Sequence, residues 1–199
     1  TGQTATKEYY EYLISFCKKN KIFIISDMAY GTLTYNNYKP LSILSIPGAM
    51  DVAMEIHSLS KSFNMTGFRM AFVVGSIKLY STIKGHTDSG QFIPIQKAAA
   101  FALDNYKELI EENIKRYSRR FNLLVDVLKN IGFKVNKPDA GFYLYVPIPK
   151  GAGDIIFHNS EEAFAYILEH AMISTVPWDD CGSYLRFSVT YEALTQQDE

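Results

Sequence analysis

The chain has 199 residues, 47% hydrophobic and 21% charged, enough to bury a sizeable core in one large domain or two smaller ones and too apolar for a disordered or low-complexity chain. Lys and Arg number 20 against 21 Asp and Glu, a formal charge of -1, so no basic excess suggests nucleic acid or an anionic membrane surface and a small-molecule partner is expected. Cys17 and Cys181 lie far apart without CxxC or His spacing, which argues against a disulfide scaffold or a zinc site and suits a reducing, cytoplasmic setting.

The opening TGQTATKEYY has neither an initiator Met nor a charged segment followed by an apolar stretch, as if cut from something longer. No apolar run reaches the ~18 residues of a membrane span. Lys7 to Asn20 carries Tyr9, Tyr12, Leu13, Phe16 and Cys17 at helical spacing and predicts an amphipathic helix. Ile22-Phe23-Ile24-Ile25, ending at Ser26-Asp27, predicts a strand buried on both faces of a parallel sheet. Ala53 to Leu59 and Met70 to Val74 predict further strands, the latter closed by Gly75, with a polar loop from Ser60 to Gly67 between them. From Leu103 to about Asn130 a charged helical pattern carries Leu109, Ile110, Ile114, Tyr117, Phe121, Leu124 and Leu128 on one apolar stripe, a helix that could join two domains. Beyond Gly132 the pattern predicts strands at Phe133 to Val135 and Phe142 to Val146, a loop from Pro147 to Gly153, a helix from Ser160 to about Met172, and a strand from Tyr184 to Thr190. Two α/β units divided near residue 105 are expected.

The stretch from Ser58 to Arg69 sets Lys61 at the end of a buried strand, among hydroxyls and with Arg69 following. Such a set could hold an anionic cofactor while the lysine amine forms a Schiff base. Taken alone, Lys61 could as well be a solvated loop lysine and Arg69 a surface charge. Asp27 shifts the balance, because a carboxylate at the C-terminal end of a parallel strand sits where open α/β sheets bind ligands. It could pair with a pyridinium nitrogen, and Tyr30 could donate to a phenolate-like oxygen on the same ring; by itself Asp27 could also be a helix N-cap or turn former.

Asp27-x-x-Tyr30, Ser58-x-Ser60-Lys61 with Gly67-x-Arg69, and Tyr184-Leu185-Arg186-Phe187-Ser188 together resemble the signature of class I/II aminotransferases, the fold-type I enzymes that use pyridoxal 5'-phosphate. Thr1-Gly2 resembles the end of that family's Asn-Pro-Thr-Gly motif. The wording of Ser60 to Gly67 and of Ser174 to Asp180 is similar to the branch containing LL-diaminopimelate aminotransferase. The resemblance implies an α/β fold in which 1–104 is the C-terminal part of the large, parallel-sheet, cofactor-binding domain and 105–199 is a small α+β C-terminal domain including the linking helix. It implies Lys61 as the Schiff-base lysine that also moves the proton at the substrate α-carbon, Asp27 on the pyridinium nitrogen and Tyr30 on the ring O3′. Ser58 and Arg69 would hold the 5′-phosphate, with Ser60 a third contact, and Arg186 would pair bidentately with the substrate α-carboxylate. The chain departs from the family at Ala71, where a glycine often stands, and in the thin glycine approach to Arg186, with only Gly182 ahead of Tyr184.

The implied activity is amino-group transfer between an L-amino acid, LL-diaminopimelate among the candidates, and a 2-oxo acid such as 2-oxoglutarate, in a cytoplasmic homodimer. The same constellation supports a C-S lyase or a decarboxylase. A chain holding only the C-terminal half of the whole, which the resemblance also implies, could be inactive by itself. Among the remaining residues, His57 is expected to be a packing or hydrogen-bonded histidine, and His86, His158 and His170 show no ligand spacing. Tyr35 and Tyr38 could line the pocket, and Trp178 could cover the substrate channel or pack in the core. The segment from Thr87 to Phe92 could approach the partner subunit's cofactor phosphate.

Overall fold

A computed structural model describes residues 2–84, 90–193 and 195. Thr1, His86 and the stretch 87–89, all singled out above, lie outside the described residues. The chain divides into two compact units, one Thr4–Asn113 and the other Ile114–Glu199 joined by Gly2 and Gln3.

The first unit opens with helix α1 over Lys7–Asn20, the predicted bounds. The Thr6 hydroxyl accepts the Tyr9 N–H at 3.2 Å, Glu8 complements the helix dipole in the first turn, and Lys18 and Lys19 do so in the last. Strand β1 spans Ile24–Asp27, β2 Ala53–Ser58 and β3 Ala71–Gly75, in the order β1-β2-β3. β1 and β2 are parallel with Asp27 opposite Ile56, whereas β3 returns antiparallel with Ala71 opposite Ser58. Gly75 closes the pair at φ 141°, where a Cβ would stand 2.6 Å from the Met54 Cα, so only glycine fits.

Burial of β1 on both faces is not observed. Ile24 packs against the buried cluster that holds Ile14 of α1, but Ile25 on the opposite face is 62% exposed. Two 3-10 turns, Ile43–Ser45 and Ala49–Asp51, turn Ile43 and Ala49 into the same cluster with Ile14, Ile46, Val52 and Ala53. Each large aliphatic side chain hidden there contributes about 1.5–3 kcal/mol.

The expected polar loop at 60–67 is instead a short helix, α2, over Leu59–Ser62, followed by a 3-10 turn at Thr66–Phe68. Leu59 is fully buried and packs with Ala99 and Ala102, which is why the segment coils. Helix α3 covers Ile77–Lys84. The long helix expected from Leu103 to about Asn130 is α5 over Tyr106–Asn130, and a separate helix not expected from the sequence, α4 over Ile93–Asp104, precedes it. The break falls at Asn105, whose backbone N–H and side-chain Nδ2 both donate to the Phe101 carbonyl, while its own carbonyl accepts the Leu109 N–H.

In the second unit, α5 buries Tyr117, Phe121, Val125 and Leu128. The predicted strand at Phe133 to Val135 does not form: Phe133 and Val135 are buried and Lys134 is exposed, yet this extended chain joins no ladder. Strand β4 covers Tyr143–Pro147. The expected loop after it holds a two-residue hairpin, β5 Gly151–Ala152 with β6 Ile155–Ile156. Helix α6 spans Ser160–Ala171, capped by Asn159, whose side chain accepts the Glu162 N–H. β7 covers Val176–Trp178 and β8 Tyr184–Ser188, giving an antiparallel sheet ordered β4-β8-β7. Leu144, Val146, Leu185 and Phe187 point to the core, so alternation sends Tyr143, Tyr145, Tyr184 and Arg186 to the other face.

Candidate functional site

Sheet topology gathers the predicted residues of the first unit at one end. β1 and β2 are parallel, so their carboxyl ends lie side by side, and the Met28 N–H donates to the Ile56 carbonyl at 2.8 Å to carry the ladder past Asp27. Because β3 runs the other way, its start lies at that same end, with Ala71 opposite Ser58 and Arg69 two residues ahead of Ala71. Carboxyl ends of strands in open α/β sheets are where ligands bind, since side chains there clear the ladder without burying backbone.

Asp27 is exposed, and its Oδ1 accepts the Ala29 N–H at 3.1 Å, a turn that swings the chain into Tyr30. Leu33, fully buried, anchors the turn, and its N–H donates to the Tyr30 carbonyl. Lys61 sits in α2 between the buried side chains of Leu59 and Ser62, and its Nζ lies 5.9 Å from the centre of the Tyr30 ring. The Thr32 hydroxyl bonds the Ser62 hydroxyl and so ties the Tyr30 turn to the Lys61 turn. The Ser58 hydroxyl accepts the Ser60 N–H at 3.2 Å and starts the helix; a hydroxyl that accepts one bond still carries a proton to donate.

Arg69 is exposed, and its backbone is left-handed at φ 51°, a conformation of order 1–3 kcal/mol above the helical one for a non-glycine residue. Neighbouring groups hold it there. The Gln91 side chain donates to the Arg69 carbonyl at 3.0 Å, and Arg69 Nη1 donates to the Thr66 carbonyl at 3.1 Å. Thr66 in turn donates its hydroxyl to the Ser60 carbonyl at 2.8 Å. Asn64 is also left-handed, and its Nδ2 donates to the Oδ1 of buried Asn113 at 3.0 Å, while Asn113 Nδ2 donates to the Ser62 carbonyl at 3.0 Å. Sequence reasoning missed Thr32, Asn64 and Asn113, and placed Gln91 only within a segment facing a partner. The one local signal was the tolerance of asparagine for left-handed backbone at Asn64.

Behind this end of the sheet, Glu55 is almost wholly buried; its Oε1 accepts the Ile43 N–H at 2.7 Å and its Oε2 lies 3.1 Å from His57 Nε2. The His57 ring stacks on Phe72 at 5.0 Å, so it is a packed and hydrogen-bonded histidine. Burial raises the pKa of the Tyr10 hydroxyl, which bonds Ser26 and lies near Glu55. Tyr35 is buried, while Tyr38 is half-buried. Among the described residues, no group of three or more His, Cys, Asp and Glu stands together as a metal site.

The second unit carries Arg186 on the face of its sheet away from the core. The guanidinium carbon lies 4.3 Å from the centre of the Tyr143 ring and 5.8 Å from that of Trp178. Its Nε is shut off from water and has no hydrogen-bond partner among the described residues, an arrangement that favours an incoming anion. Tyr145 stacks on Tyr184 at 4.5 Å beside it.

Residues 1–197 match the family model for aminotransferase class I and II. LL-diaminopimelate aminotransferase of Methanocaldococcus jannaschii is 45% identical over 196 residues, covering 97% of this chain and 46% of that protein. LL-diaminopimelate aminotransferase 2 of Trichormus variabilis is 38% identical over 197 residues, covering 96% and 49%. The chain spans about half the length of the curated relatives it matches. Of solved structures, apo-BacF from Bacillus subtilis matches with a TM-score of 0.87 and 32% identity over 100% of this chain and 50% of its own. The aromatic aminotransferase from Pyrococcus horikoshii matches with a TM-score of 0.83 and 27% identity over 96% and 52%. Family match, curated relatives and fold agree: the chain belongs to the class I and II aminotransferases, pyridoxal-phosphate enzymes of fold type I.

Proposed function

We propose that the protein carrying this chain is an aminotransferase that moves an amino group between an L-amino acid, LL-diaminopimelate being the donor named by its relatives, and a 2-oxo acid such as 2-oxoglutarate. The observation that carries this reading is the meeting of Asp27, Tyr30, Ser58, Lys61 and Arg69 at one end of one sheet, with Lys61 Nζ 5.9 Å from the Tyr30 ring centre. The donor set fits pyridoxal phosphate group by group: a carboxylate for the ring nitrogen, a phenol for the ring oxygen, hydroxyls and a guanidinium for the phosphate, and an amine for the aldehyde. When bound, the cofactor supplies an electron sink for the substrate α-carbon.

The chain's own residues then have separate tasks. Asp27 holds a proton at the ring nitrogen, and Tyr30 donates to the ring O3′. Ser58 and Arg69 bind the phosphate with Ser60 as a third contact, Arg69 through its planar fork. Lys61 Nζ moves the proton at the substrate Cα. Arg186 takes the α-carboxylate, which the amino acid and the 2-oxo acid share, so one residue serves both half-reactions. A cytoplasmic homodimer is part of the same reading. Full-length protein given LL-diaminopimelate and 2-oxoglutarate should form glutamate; carbon dioxide released from the donor without glutamate, or pyruvate and ammonia released from a sulfur-substituted amino acid such as cysteine with no glutamate from any donor, would contradict it.

A further inference from the structure

We propose that Tyr143 is a positioning residue for Arg186, its ring setting the plane in which the guanidinium fork meets a carboxylate. This rests on the reading of Arg186 as the group that takes the substrate α-carboxylate. In the β4–β8 register Tyr145 stands opposite Arg186 and Tyr143 opposite Ser188, so Tyr143 is the diagonal neighbour of Arg186 on the same face. From there it lies under the guanidinium, 4.3 Å from ring centre to guanidinium carbon, inside the ~6 Å range in which a cation feels the negative face of an aromatic ring.

Arg186 Nε is buried without a hydrogen-bond partner among the described residues, which leaves a donor desolvated and uncompensated by any oxygen. The Tyr143 ring is the negative surface beside it. That ring is itself held: Phe142 meets it edge-on at 4.7 Å, and Tyr117 of α5 meets Phe142 edge-on at 6.0 Å, both of them buried. A rigid stack from α5 to the sheet face therefore ends on the guanidinium. An arginine ordered before its ligand arrives loses less side-chain freedom on binding. The ligand class is any α-carboxylate, so donor and acceptor should feel the loss of the ring alike.

The test is steady-state kinetics on the full-length holoenzyme with Tyr143→Leu, which keeps bulk without a π face, and Tyr143→Phe, which keeps the ring. Tyr143→Leu should raise KM for the amino acid and the 2-oxo acid by a common factor of roughly 3- to 30-fold with kcat held, the signature of lost uniform binding. Tyr143→Phe should recover the parental KM, and in the isolated half-reaction, without 2-oxo acid, a primary amine lacking a carboxylate should react equally in all three proteins. Parental KM in Tyr143→Leu overturns the proposal, as does a Phe variant no better than the Leu variant, or a fall in kcat and melting temperature without a change in KM. Arg186→Gln separates the underlying reading: if it leaves KM unchanged, Arg186 does not bind the carboxylate. Raised KM there with parental KM in Tyr143→Leu removes only the role of Tyr143.

Discussion

Lys61 Nζ stands 5.9 Å from the centre of the Tyr30 ring, on turns joined by the hydrogen bond between Thr32 and Ser62. Tyr30→Phe keeps this ring and removes only the phenolic O–H. Loss of a hydrogen bond to a charged oxygen costs about 1.5–3 kcal/mol, so kcat should fall by at least about 10-fold while the cofactor is retained. An unchanged kcat would remove Tyr30 from the machinery.

Asp27→Asn separates charge from structure. An asparagine Oδ1 can accept the Ala29 N–H as the aspartate does, so the turn at the end of β1 should persist while the negative charge is lost. Removing a preorganised electrostatic group of this kind lowers kcat on the order of 100-fold. Single-turnover rates at saturating cofactor would show it, and a parental rate would contradict the pairing of Asp27 with the ring nitrogen.

Asn113 closes the end of the Lys61 turn from α5. Asn113→Ala leaves the Ser62 carbonyl without this donor, at a cost of about 1–3 kcal/mol in urea unfolding. Cofactor affinity should weaken with it, since the turn bearing Lys61 loses a support. Parental stability would show that water replaces the amide.

Asp179 accepts from Ser160, first through the hydroxyl and then the backbone N–H, and also from Ser183; the Ser160 hydroxyl is the largest of the causes that lower its pKa. A carboxyl with a lowered folded pKa contributes stability above its unfolded value of about 4, and that contribution disappears as pH falls through the folded value. The difference in urea midpoint between the parent and Ser160→Ala should therefore be widest near neutral pH and close below about pH 4. A gap constant across this range would contradict the assignment.

Local chemistry made some elements plain in the sequence and left others hidden. α1 has the bounds read from the helical spacing of Tyr9, Tyr12, Leu13, Phe16 and Cys17, because that periodicity is a local pattern. The strand ends carrying Asp27 and Ser58 were legible because apolar runs stop there. The boundary between α4 and α5 at Asn105 was hidden because apolar spacing continues across it. At Phe133 and Val135 alternation reports burial correctly, but a strand also needs a partner edge, which no local pattern reveals. The exposed face of β1 has the same origin, since an apolar run says that cover is expected and not what supplies it. Asn113 and Gln91 reach the site from residues distant in sequence, and their amides give no local signal.

That Lys61 carries the cofactor is tested by borohydride reduction of the full-length protein loaded with pyridoxal phosphate, followed by peptide mass mapping. The pyridoxyl mass should appear on the peptide containing Lys61 and vanish in Lys61→Arg; a mark on another lysine, or none on Lys61 in the loaded parent, would contradict the site described above.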